Sequence, residues 1–331
     1  MQEENFLPKQ VSQKPGRAFK SPLDFIRKFP AIVILIGMGI VGSLLSPVFL
    51  TTQNILNILW TVSVLGIIAL GQTLLLVTGN FDMSVAYIVG LSGITTVLSQ
   101  LAGASLPISI LLGILSGVLV GLLNGTIIVL TRANAFLITL GTSTLVYSIN
   151  LALTQSKTWY ASYDEFLILG QGRLFGTIHY SVLIFLFLAL TLEFILRNTQ
   201  FGRSLYIIGL NQRTGHLSGI KVNRIKLFAY LVSGSMAALA GLIMTSRTGS
   251  TVANAGVGME FDSLIAAVLG GTSLSGGKGG TLRTVVGVLI LGVLNNLLVL
   301  LNVPYEAQQI AKGLVFLVVV MAGSNLQGKQ R

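Results

Sequence analysis

The sequence predicts an all-α fold: a polytopic membrane protein of about ten transmembrane helices. Three observations carry that prediction. Of 331 residues, 53% are hydrophobic and only 9% charged, against roughly a quarter charged in soluble domains. Long apolar stretches recur from residue 31 to residue 322, and about 20 apolar residues cross a bilayer core. One motif occurs twice at an offset of 180 residues. Phe81-Asp82-Met83-Ser84-Val85-Ala86 leads to Gly90 and Ser92, and Phe261-Asp262-Ser263-Leu264-Ile265-Ala266 leads to Gly270 and Thr272. Duplicated halves with paired polar openings are a recurrent plan of membrane transporters.

The apolar stretches place spans at 31–50, 56–77, 84–102, 106–130, 135–154, 180–196, 227–246, 262–276, 282–301 and 306–322. They form one transmembrane domain, 29–325, between a basic N-terminal tail, 1–28, and a short tail, 326–331. The first tail lacks the apolar core and small-residue cleavage site of a secretory signal. An even number of spans puts both termini on one side. Six of the 21 basic residues precede the first span: Lys9, Lys14, Arg17, Lys20, Arg27 and Lys28. Six more lie in the loop 197–226, and Lys329 and Arg331 close the chain. Basic residues gather on the cytoplasmic side, so both termini and the 197–226 loop are expected there, in a cell inner (plasma) membrane protein. The loop 155–179, with Asp164 and Glu165 beside Lys157 and Arg173, falls outside. The net charge of +11 is thus read as topology and contact with lipid, not as a nucleic-acid partner. The absence of cysteine excludes disulfides and thiolate metal sites.

The repeat extends past its opening. Gly117-Val118-Leu119-Val120 with Leu123-Asn124 resembles Gly287-Val288-Leu289-Ile290 with Leu294-Asn295. Spans 3–5 thus match spans 8–10. Five spans separate each pair, so the copies have opposite orientation, an inverted repeat whose interface commonly houses a pathway. The eighth span runs into Gly270–Gly280, and irregular backbone at membrane depth is tolerated only inside protein or against a watery cavity. A broken helix or re-entrant segment is expected there.

The opening Thr78–Ser84 has two compatible readings. Asn80, Phe81, Asp82 and Ser84 line or gate a pathway, or Asp82 is an N-cap facing the helix dipole. The same two readings apply to Glu260, Phe261 and Asp262. An acid at a membrane helix mouth is a functional candidate by default. Gln72, Asn124, Asn295 and Asn296 lie deep in apolar spans and need partners in the bundle, as plain interhelical bonds or as pathway groups.

The glycine run does not match a phosphate loop, G-x-x-x-x-G-K-[ST]. Thr272 stands at its first glycine position and Gly279 follows Lys278. His179 and His216 are the only histidines and fall on opposite faces of the expected topology. No catalytic set and no cofactor are expected from this chain. Within the inner loop, Asn211, Gln212, Arg213, His216, Leu217 and Ser218 read as a short helix docking a cytoplasmic partner, or as a plain charged connector.

Gly79-Asn80-Phe81-Asp82-Met83-Ser84-Val85, the long run Glu260–Gly279 and Leu291-Gly292-Val293-Leu294-Asn295-Asn296 resemble signatures of the permeases of sugar-type ABC importers, the ribose, arabinose, xylose, galactoside and autoinducer-2 permeases. The resemblance runs from about residue 30 to residue 322. It implies a transport subunit, not an enzyme, translocating a monosaccharide or similar small sugar. It implies a second permease copy or paralogue, cytoplasmic ATP-binding subunits that bind the ATP, and a periplasmic sugar-binding protein. In the family the stretch matching Asn211–Ser218 inserts into the ATPase after Gly-Gly-Asn and carries Glu-Ala-Ala. Here Leu210 replaces the second glycine and Gln212-Arg213-Thr214-Gly215 the acidic, alanine-rich part. The alternative is an ion-coupled secondary transporter using Asp82 and Asp262.

Overall fold

Residues 30–328 are described by the computed structural model. The 1–28 tail and the end of the 326–331 tail lie outside the described residues. The chain runs α1 (Pro30–Leu45), α2 (Thr52–Val77), α3 (Val85–Leu101), α4 (Leu106–Thr131), α5 (Ala135–Thr154), β1 (Trp159–Tyr160), α6 (Asp164–Gln171), β2 (Arg173–Leu174), β3 (Ile178–His179) and α7 (Tyr180–Asn198). It continues through α8 (Gln200–Leu210), α9 (Gln212–Leu217), α10 (Val222–Thr248), β4 (Ser250–Thr251), α11 (Met259–Leu269), α12 (Thr281–Leu300) and α13 (Tyr305–Gly328).

Among the described residues six helices, α2, α4, α5, α7, α10 and α12, are long and apolar enough to cross a membrane, and α1 and α3 are shorter apolar helices. The fold is mostly helical and polytopic. The eighth expected span, 262–276, is corrected: its helix stops at Leu269. Gly270 has no room for a side chain against the Arg283 carbonyl, and Gly271 takes φ +98. The first, 31–50, stops at Leu45, before Ser46-Pro47, and Phe49 folds back onto Gly42. The loop 155–179 is not plain. It contains α6, a β2–β3 hairpin, and β1, which pairs antiparallel with β4 through Trp159↔Thr251.

Local chemistry sets the ends. Thr51 caps α2 by accepting from Asn54 N. Pro107 sits in the first turn of α4, where its missing N–H costs nothing. Asn134 caps α5 through Phe136 N at 2.9 Å.

The core gathers around α2, whose residues from Val62 to Val77 are almost all buried, and around the seam of α4 with α10. Gly113, Gly117, Gly121 and Gly125 recur every fourth residue along α4. A Cβ at Gly117 would lie 2.6 Å from the Gly234 carbonyl, and one at Gly121 2.5 Å from the Tyr230 carbonyl. Without side chains the two backbones close directly. Van der Waals packing of this kind holds helices together where lipid offers no hydrophobic contrast.

The tertiary contacts separate two ends. Trp60, near the start of α2, bonds the Gly170 carbonyl at 2.9 Å, so α6, the hairpin and the β1–β4 pair share one end. Gly277 N bonds the Val77 carbonyl at the finish of α2 at 2.9 Å, beside α8 and α9 at the other end.

Candidate substrate pathway and docking segment

The first polar opening is a turn that folds back into the bundle. Gly79 takes φ +76, which a side chain rarely adopts. Asn80 bonds Thr78 Oγ1 at 2.9 Å. The chain then returns alongside α2, so that Asp82 meets Gln72: the Gln72 amide donates to the Asp82 carbonyl at 2.6 Å and accepts from Asp82 N at 3.0 Å. Three further helices hold the turn. Thr139 of α5 accepts from Met83 N at 3.1 Å, Tyr230 of α10 donates to the Phe81 carbonyl at 3.2 Å, and Asn124 of α4 donates to Ser84 Oγ at 2.9 Å.

The Asp82 carboxylate accepts from Ser84 N at 2.8 Å, from Ser84 Oγ at 2.6 Å and from Asn124 at 3.3 Å. Asp82, Ser84, Gln72 and Asn124 are all fully buried. The N-cap expectation for Asp82 is corrected, because Ser84 holds the cap position. Asp82 instead organises the turn two residues earlier. The sequence reading found every member of this cluster except Thr139 and Tyr230, whose roles depend on helices that come together only in the fold.

The second opening is built differently. The cap position of α11 is Gly258, so Asp262 lies inside the first turn and is not an N-cap. Glu260 accepts from Gly258 N at 2.9 Å. Asp262 pairs with Lys312 of α13 at 3.0 Å, with side chains only 21% and 14% exposed. Lys312 escaped the sequence reading, although a lysine in the middle of the tenth expected span is the kind of residue that marks a partner. Phe261 is half-exposed. Asn296 exchanges two bonds with Asn54 of α2, at 2.8 and 2.9 Å, while Asn295 Oδ1 is buried without a partner. The two adjacent amides thus face different surroundings. The two openings touch: Leu76 and Met83 form one buried apolar cluster with Leu264 and Ala267 of α11.

The docking candidates lie just beyond α8, beside the end of α2. Asn211 caps α9 by accepting from Arg213 N at 2.8 Å and Thr214 N at 3.2 Å. Asn211, Gln212, Arg213, His216, Leu217 and Ser218 are all exposed, Leu217 to 83%. Gly215 is buried against Val222 and Ile208, where a Cβ would make only ordinary contact, so nothing in the packing requires a glycine there. The preceding helix is tied to the end of α2 and to the 276–279 loop. Gly209 abuts the Val77 carbonyl. A Cβ at Gly276 would lie 2.8 Å from the Gly209 carbonyl and 2.9 Å from Gly79 N. Tyr206 donates to the Gly279 carbonyl at 3.0 Å. Glu193, the acid near the inner boundary of α7, accepts from Thr281 Oγ1 at 2.9 Å and Leu282 N at 3.2 Å, while pairing with Arg197. It caps α12.

Among the described residues no group of three or more His, Asp or Glu side chains stands ready to hold a metal. A family profile described as branched-chain amino acid transport system / permease component matches residues 54–320. The ribose import permease protein of Haemophilus influenzae is 39% identical over 92% of this chain and 94% of its own length. The D-allose transport system permease protein of Escherichia coli is 34% identical over 89% and 91%. The L-arabinose transport system permease protein of the same organism is 34% identical over 94% and 95%. No solved structure matches. A profile spanning most of the chain and relatives 34–39% identical over nearly their full length agree with the paired openings and the α8–α9 pair, and the chain belongs to the permease family of sugar-type ABC importers.

Proposed function

We propose that this chain is the membrane-spanning subunit of an ATP-driven importer that moves a monosaccharide or similar small neutral sugar into the cell. One observation carries the reading beyond family membership: an exposed short helix, α9, stands on α8, and α8 is clamped at once against the Val77 end of α2, which leads into the first opening, and against the glycine-rich 276–279 loop that follows α11. A force applied to α9 from the cytoplasm reaches the end of α2 through Gly209 and the 270–280 loop through Tyr206 and Gly276.

On this reading ten helices span, with α11 as a short broken one and α13 as the last. The α3–α5 set is related to α11–α13 by inversion, and both termini are cytoplasmic. ATP is bound by partner subunits on α9. A second copy or paralogue completes the pathway, and a periplasmic sugar-binding protein docks at the end formed by α6 and the hairpin. The openings at Asn80–Ser84 and Glu260–Asp262, with Asn124 and Asn295, would move against one another as ATP binding tilts α8. A neutral sugar asks for hydrogen-bonding groups, not an ion pair, and the two acids are already committed. Asp82 is satisfied by Ser84 and Asn124, and Asp262 is neutralised by Lys312. That commitment argues against an ion-coupled transporter using these acids.

Affinity purification from the native host followed by a vanadate-sensitive ATPase assay tests the reading. A copurifying ATPase that is lost when Asn211–Ser218 is deleted, together with ATP-dependent sugar uptake in proteoliposomes, is the expected result. A chain that elutes alone and drives protonophore-sensitive uptake would overturn it.

A further inference from the structure

A cavity of about 430 Å³ opens between the start of α2 and the β2–β3 hairpin, within the roughly 300–1,000 Å³ range of small-molecule sites. It lies at the end of the molecule that carries α6, and no residue of either polar opening lines it. Its α2 wall is a ladder of Gln53, Asn57 and Trp60, which the helical repeat places one above another. Its hairpin wall is Arg173, Thr177 and His179. Arg173 and His179 are a cross-strand pair, so both project from one face of the hairpin toward the ladder.

The floor is rigid. The His179 ring stacks on Trp60 at 4.3 Å with 9° between planes, and the Arg247 guanidinium lies 3.8 Å from the indole centroid. Two groups so near one ring have room only on opposite faces. Trp60 is therefore held between a cation and an aromatic ring, and its N–H is fixed to the Gly170 carbonyl. Gly170 N is bonded in turn to Ser246 of α10 at 2.7 Å. His179 is 6% exposed, and its buried Nδ1 makes no hydrogen bond within the chain.

We propose that this cavity is a binding subsite for a neutral polyhydroxyl molecule of monosaccharide size, recognised by Gln53, Asn57, Arg173 and Thr177 over the Trp60–His179 floor. No carboxylate lines it, so it has nothing to hold a cation. Two amides and a hydroxyl each offer both donor and acceptor, which matches adjacent sugar hydroxyls, and the guanidinium adds donors in a planar fork. The site rests on the importer reading for its purpose: a station where a sugar released outside waits before the pathway opens.

The test uses the full chain in nanodiscs. Trp60 and Trp159 are the only tryptophans, and Trp159→Phe leaves Trp60 as the sole reporter. Titration with D-ribose, D-allose and L-arabinose should give a saturable change in Trp60 fluorescence with at least one sugar. Asn57→Ala and Arg173→Gln should each weaken it about tenfold, the loss of one or two hydrogen bonds, with elution and melting of the variants unchanged. In proteoliposomes with the partner subunits the same variants should raise the half-saturating sugar concentration and leave maximal uptake and ATP hydrolysis as they were. Absence of any saturable change overturns the proposal, as does wild-type titration by both folded variants. Tighter binding of ribose 5-phosphate than of ribose overturns the neutral-ligand assignment. If the importer reading itself fails, wild-type ATP-dependent uptake is absent whatever the fluorescence shows. If only the subsite fails, wild-type uptake is present and both variants match it.

Discussion

A single methyl group at Gly209 tests the route from α9 to the end of α2 and the 270–280 loop. Built on the α8 backbone, it would stand well inside contact of the Val77 carbonyl and 2.5 Å from Gly277 N, where ordinary contact begins at 3.4 Å. The backbones must part by about 0.9 Å at Gly277 and by more at Val77. Forcing a carbon into a packed contact costs typically 1–3 kcal/mol. The Gly277 N–Val77 carbonyl bond at 2.9 Å lies in the same gap, and losing it adds about 1 kcal/mol. The sum is roughly 2–4 kcal/mol. α8 leaves Gln200, Arg203 and Leu210 exposed, so the strain is relieved most cheaply by lifting α8 off α2. The exposed surface of α9 is unchanged by this movement. Gly209→Ala should therefore still copurify with the ATPase and support its hydrolysis, while sugar uptake in proteoliposomes falls at least tenfold. Gly209→Ser should behave alike. Uptake per folded chain equal to wild type would refute the argument that force passes through this contact.

Two further outcomes follow from other parts of the structure. Asp262→Asn or Lys312→Met alone should destabilise the chain in detergent by about 2–3 kcal/mol, somewhat below the range for a fully buried pair because both groups keep some exposure. The double variant should lose less than the sum of the singles, and strict additivity in a denaturant titration would mean that the pair is not coupled. His179 governs a pH effect at the hairpin end. Burial holds its imidazole below the ordinary 6.5, Arg173 and Arg247 add to this, and the Gln171 backbone opposes it in part. The unfolded chain then binds the proton more readily. The stabilisation from neutral His179 is complete above pH 6.5 and is lost as pH falls through the folded-state value. Thermal unfolding should lose more between pH 7.5 and 5 in the wild type than in His179→Phe, which keeps the stack and removes the titration. Equal slopes would sink the assignment.

The membrane class, the helical periods and the two polar openings were legible in the chain because they depend on local features. Apolar stretches of spanning length, an acid repeated at a fixed offset and glycines at break points carry their meaning without a partner. The Gly113–Gly125 ladder was also written there, as a glycine every fourth residue, and the seam of α4 with α10 is its physical consequence. The six candidate docking residues were recognisable as a mostly polar island in an apolar chain, and Asn211 was in place to cap the short helix that carries them.

Tertiary structure decided what each polar group does. Asp82 and Asp262 look equivalent in sequence, yet one is enclosed by Gln72, Ser84 and Asn124 and the other is neutralised by a lysine 50 residues away. Asn296 finds Asn54 across 242 residues, while its neighbour Asn295 keeps an unmatched oxygen. The junction of Gly79, Gly209 and Gly276 and the stack of His179, Trp60 and Arg247 join segments remote in the chain. Composition and period arise from forces that act along a helix or between the chain and lipid. The pairing of buried amides, charges and bare backbones depends on distances between helices, and those are fixed only when every helix has packed.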